Sequence, residues 1–222
     1  MASRLCLLLI CAAALAGSAV AAGDPRDPKR RHNAADQAWA EAIRVQRPDL
    51  GGGDWRVETS DDSDRGAPKQ CKDPDLSDLV ETGSAEKPDW SRNGSFVGSG
   101  SIVFRTERQL TTAWNRVARR PFTDCFIWAM KKGAAGSGVS ISVSSKGPVR
   151  IAKLAPLFKT GRVAVTVKGP NATVKGRLSY YLAGRGRASV ILVIMSFGRP
   201  ATPISEALER RIVQRVTARL KH

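Results

Sequence analysis

Hydrophobic positions recur at helical spacing in four stretches of this chain and alternate at strand spacing in about five others. Behind Asn33, a side chain suited to an N-cap, Ala35, Ala38, Trp39, Ala42 and Ile43 form one apolar face. That face stops at Arg47-Pro48, because proline pushes the residue before it out of the helical region. "PDLGGGDW" follows as a turn that carries Trp55 toward a core. "SFVGSGSIVFRT", residues 95–106, puts Phe96, Gly98, Gly100, Ile102 and Phe104 on one side of a strand. Two glycines on that side predict a bulge or a close approach by a neighbour. Thr106 and Gln109 then have capping-box spacing, and Leu110, Trp114, Val117 and Ala118 form a helical stripe. Pro121 must kink this helix or open a second one, in which Phe122, Cys125, Phe126 and Ala129 share a face.

The C-terminal half predicts a meander. Val139, Ile141 and Val143 alternate with serines, Val163, Val165 and Val167 repeat the pattern, and residues 173–183 continue it after a "KGPNAT" turn. "GRGR", 184–187, is a tight hairpin turn. "ASVILVIMSF", 188–197, is apolar at nearly every position, which marks a central strand covered on both faces. Leu208, Ile212 and Val216 make the stripe of a closing helix. The predicted class is α+β: an antiparallel sheet of about five strands, four of them a C-terminal meander, with helices packed against it.

The N-terminus changes the picture from fold to compartment. Arg4, an apolar run from Leu5 to Ala16 and the small-x-small site Ala19-Val20-Ala21 read as a secretory signal peptide over 1–21, cleaved near Ala21. Ile10 before Cys11 does not fit a lipoprotein signal. Residues 22–32 read as a disordered mature N-terminus and 33–222 as one domain, with an acidic loop at 58–78. Secretion leaves two cysteines, Cys71 and Cys125, which in an oxidising compartment pair with each other. A nucleophilic thiol lacks a histidine partner, because His32 and His222 fall in expected tails. A zinc site lacks the three or four ligands it needs.

Charge divides the chain. The whole carries +16, yet residues 49–89 hold twelve acids against five bases, and from Ser91 onward there are twenty-four bases against four acids. Ten of those bases lie in or beside the strand turns and are the candidate anion-binding residues: Lys146, Arg150, Lys153, Lys159, Arg162, Lys168, Lys175, Arg177, Arg185 and Arg187. Outside a cell they would meet anionic envelope polymers or a protein partner. Nucleic acid is disfavoured, since Tyr180-Tyr181 is the one candidate stacking pair beside those bases. No G-x-S-x-G, no phosphate loop and no EF-hand spacing is present, and neither a metal nor a cofactor is expected. The alternatives to a binding or sensor-type module are a secreted hydrolase using acids of the 49–89 region and an interaction protein that acts through its basic surface without a small ligand. Asp124, beside Cys125, is expected to face solvent or an arginine.

The order helix, strand, helix, meander, helix, together with "DLGGGDW", "FVGSGSIVFRTERQLTTAW", the Cys125 helix and "GRGRASVILVIMSF", resembles a family of uncharacterised secreted actinobacterial domains. It is also similar to the extracellular sensor domains of PknH-type receptor kinases and to the PsbP-like lipoprotein fold. The resemblance implies an exported, noncatalytic binding or sensor-type module. It assigns no functional residue, and it departs from the kinase sensors in offering one disulfide where they carry two.

Overall fold

The computed structural model describes residues 24–58, 68–86, 88–198 and 204–221. The expected signal peptide and residues 59–67 of the acidic loop therefore lie outside the described residues. Four α-helices flank a nine-stranded sheet among the described residues. The strands are β1 (Lys29–Arg30), β2 (Arg56–Glu58), β3 (Val80–Ala85), β4 (Asp89–Arg92), β5 (Ser95–Phe104), β6 (Ser140–Gly147), β7 (Leu157–Lys168), β8 (Thr173–Arg185) and β9 (Ala188–Phe197). The helices are α1 (Ala34–Ile43), α2 (Glu107–Val117), α3 (Phe122–Ala134) and α4 (Glu206–Ala218). The strand order is β1-β3-β5-β9-β8-β7-β6, with β4 also on β5 and β2 on β4.

The α+β class and the antiparallel meander β6–β9 match expectation. Two features correct it. The sheet has nine strands rather than about five, and β1 pairs with β3 in parallel. The additional strands, β1 to β4, are short and lack apolar alternation. Their backbone ladders form because longer neighbours supply the edge. The polar N-terminal stretch, expected to be disordered, is docked from Asp24 onward: Lys29 N donates to Leu79 O and Arg31 N to Glu81 O, while Pro28 is buried.

Alternation along β5, β8 and β9 divides the core into two layers. Val97, Tyr181, Ala183, Leu192 and Ile194 face α1 and α4. Phe96, Leu178, Tyr180, Val193 and Met195 face α3, and Phe104 meets Leu110 and Ala113 of α2. β9 lies between β5 and β8 and is covered on both sides, which explains its unbroken apolar sequence. Caps sit where the sequence places them. Asn33 accepts from Asp36 N, Thr106 accepts from Gln109 N, and Pro121 opens α3 rather than kinking α2. Gly186, at φ +56°, makes the two-residue turn between β8 and β9.

Gly83 is where β3 meets α1 most closely. An added Cβ there would overlap the backbone of Asp36 and Gln37, which cannot move aside as a flexible side chain could. Gly83→Ala should therefore cost about 2–3 kcal/mol in urea unfolding. An unchanged midpoint would show that the α1–β3 contact is looser than described.

Candidate functional site

Cys71 and Cys125 are bonded, with Cα atoms 5.4 Å apart, and Trp128 packs on the pair. The bond fastens the short 3-10 turn Lys69–Cys71 to α3. Next to it, Arg120 reaches the carbonyl of Cys71 and the carboxylate of Asp73. Arg120 and Asp73 also stand at the edge of a cavity.

The cavity, of about 150 Å³, opens between α2 and the β3–β5–β9 part of the sheet. Its apolar wall comes from Ile102, Leu110, Ala113, Trp114, Val117, Leu182 and Ile191, with Gly100 as part of the sheet surface. A small residue on each side leaves the space: Gly100 on β5 has no side chain to fill it, and Ala113 on α2 has only a methyl. Gly98, the other glycine of that strand face, is crowded by the Phe96 ring and Asp89, so the expected close approach occurs there. The size is that of an apolar cavity that accommodates a single ring.

The rim is polar and carries Arg26, Asp27, Asp73, Glu81, Glu86 and Arg120. Arg26 pairs with Asp24 at 2.5 Å and donates to the carbonyl of Asp73. Arg120 pairs with Asp73, so these cations are held by the fold itself. Burial pushes the Asp27 carboxyl above its usual range, and the charges of Asp24 and Glu81 add to the effect. Glu81 is fully buried, with Oε1 2.5 Å from His32 Nε2 and accepting from Ser84 Oγ at 2.6 Å. His32, read from sequence as part of a solvated tail, is instead a partner of this buried acid. Neither residue carries a sequence signal, because they meet only through the β1–β3 ladder.

A second, polar pocket of about 290 Å³ lies on the opposite face, under α4 and the 148–151 segment. Its floor is an ion cluster. Glu209 accepts from Tyr181 Oη at 2.6 Å and from Arg162 at 3.0 Å, and Arg177 lies 3.0 Å from its other oxygen. Burial opposes ionisation of Glu209, but the hydrogen bonds from Tyr181 and Ser179 and the charges of Arg162 and Arg177 outweigh it and hold the carboxyl below its usual range. Burial, followed by the Glu209 charge, pushes the Tyr181 hydroxyl up.

The ten candidate anion-binding residues do not assemble into one patch. Arg150 and Arg162 share the polar pocket with Arg210. Five of the ten hold internal partners: Lys146 with Asp124 at 2.9 Å, Lys159 with the carbonyls of Ala118 and Arg120, Arg162 and Arg177 with Glu209, and Arg187 with Asp36 at 2.8 Å. Lys153, Lys168 and Lys175 are exposed. Lys168 and Arg185 stand at opposite ends of the β7–β8 ladder, about 40 Å apart at strand rise. Tyr180 and Tyr181 are both buried, on opposite faces of the sheet.

Among the described residues no cluster of three or more His, Cys, Asp or Glu is placed to hold a metal, and no helix is long and apolar enough to cross a membrane. No family model and no curated protein matches this chain. Among solved structures, the chain is similar to the crystal structure of the extracellular domain of PknH from Mycobacterium tuberculosis. The two share 14% identity and a TM-score of 0.43 over 85% of this chain and 100% of that one.

Proposed function

We propose that this chain is an exported, noncatalytic binding module whose site is the apolar cavity between α2 and the sheet. The observation that carries the reading is the cavity itself, an apolar space with a few polar groups at its rim. The leader-like N-terminus and the disulfide support an extracytoplasmic location. An anionic polymer draws less support, since half of the candidate cations are committed to partners within the fold.

Titration with toluene, followed by methyl NMR, tests the site. Methyl signals of Ile102, Leu110 and Ile191 should shift together and saturably. Ala113→Phe should fill the space and weaken binding at least tenfold, with the fold retained. Shifts confined to exposed residues, or none, would reject the cavity as a binding site.

A further inference from the structure

The polar pocket under α4 holds more positive charge than its own acids answer. Its two acids, Glu206 and Glu209, both pair with Arg162, and Glu209 pairs with Arg177 as well. Arg150 and Arg210 line the same pocket, and among the described residues neither has a hydrogen-bond or ion-pair partner. Four arginines therefore stand against two glutamates around one space. Both unpaired guanidiniums are exposed, so their donors are open to a ligand.

Their side chains are free, but the backbone beneath them is fixed. Arg150 sits between Val149, whose N donates to Thr160 Oγ1 at 3.1 Å, and Ile151, whose N donates to the Val149 carbonyl at 3.0 Å. Arg210 follows Glu209 on α4, and Glu209 is tied to Arg162, Arg177 and Tyr181. The surface beyond has the same sign. Past Glu206, the exposed side of α4 carries Arg210, Arg211 and Arg215 and no acid.

These features select an anion and its charge. A carboxylate would answer one of the two open guanidiniums. A phosphate monoester carries about −1.5 to −2 at pH 7 and presents three acceptor oxygens. Those oxygens match the forked donors of arginine, which lysine lacks. Pro148, Val149 and Ile151 give the pocket an apolar side for the ester's organic part. Glu209 on the floor keeps the phosphate at the mouth, where Arg150 and Arg210 are exposed.

We infer that this pocket is a second binding site, for a phosphate monoester. It stands or falls apart from the apolar cavity. It also differs from a polymer-binding face, since the exposed strand-turn cations Lys153, Lys168 and Lys175 do not line it.

The test titrates phenyl phosphate and benzoate at pH 7 and constant ionic strength, followed by methyl NMR. Phenyl phosphate should shift the Val149 and Ile151 methyl signals saturably and leave Ile102 and Ile191 in place. It should bind at least tenfold tighter than benzoate. Arg150→Gln combined with Arg210→Gln should weaken it at least tenfold, with an unchanged methyl spectrum outside the pocket reporting that the variant is folded. Arg211→Gln, on the same helix but outside the pocket, should change the affinity less than about twofold. Equal affinity for the two ligands overturns the inference, and that comparison on the unaltered protein needs no variant. Binding that survives the double substitution also overturns it. So does an equal loss with Arg211→Gln, which is the mark of diffuse attraction to a basic helix. Competition reads the source of the group: displacement of phenyl phosphate by glycerol phosphate alone supports a soluble ester, and displacement by phosphatidate vesicles alone supports a lipid headgroup.

Discussion

Glu209→Ala should lower the unfolding free energy by about 3 kcal/mol, the low end of the cost of breaking a buried ion pair. Glu209 is 1% exposed and answers two guanidiniums and a phenol, Arg162, Arg177 and Tyr181. Without it, the Tyr181 hydroxyl beneath α4 loses its acceptor, and Arg162 and Arg177 lose the buried carboxylate between them. The loss sits at the low end because Arg162 keeps Glu206 at 2.8 Å and both arginines are partly solvated. Urea unfolding by tryptophan fluorescence checks it, and a change below about 1 kcal/mol would mean that the cluster is solvated. The pH dependence has a fixed sign. The folded-state carboxyl is held below its unfolded value of 4.5, so its contribution is present above that pH and lost as pH falls through the lower folded value. The stability profile of Glu209→Ala should lack that acid-side loss.

Removing the cross-link by Cys71→Ala with Cys125→Ala should cost about 4 kcal/mol, on the chain-entropy estimate for residues 54 apart. Non-reducing mass analysis of the unaltered protein should find no free thiol at either position. Function should feel the loss as well. The bond anchors the Lys69–Cys71 turn, and Asp73 just beyond it holds Arg120 at the cavity rim. Toluene binding should weaken in the double variant even under conditions where it remains folded. Full stability without the bond would show that Trp128, Arg120 and Asp73 hold the turn by packing and charge alone.

The long elements were legible because their side chains repeat. Leu110, Trp114 and Val117 mark the inner face of α2, and the apolar run 188–197 marks a strand covered twice. The caps at Asn33 and Thr106 were legible for the same local reason. β1 and β4 were not, since "KR" and "DWSR" carry no alternation and owe their structure to partner strands. Much of the site was hidden for that reason too. His32 and Glu81 are 49 positions apart and meet only after β1 docks on β3. Gly98 and Gly100 did stand out in the sequence, but a missing side chain does not say what comes near it: Gly98 is crowded by Phe96 and Asp89, and Gly100 lines the cavity. Arginine content misled in a simple way. A count of cations does not reveal that Arg187 and Asp36 neutralise each other, or that Glu209 answers two of them.

The centre of the sheet joins distant parts of the chain: β5 and β9 pair Ser95 with Ser196 and Val103 with Ala188. Closing so long a loop has to precede any gain from that ladder, whereas β6 to β9 can zip together through neighbouring hairpins. The meander is therefore the natural nucleus for folding, and the N-terminal third joins late. The walls of the cavity draw on both parts, so a ligand can enter only a chain whose last assembly step is complete.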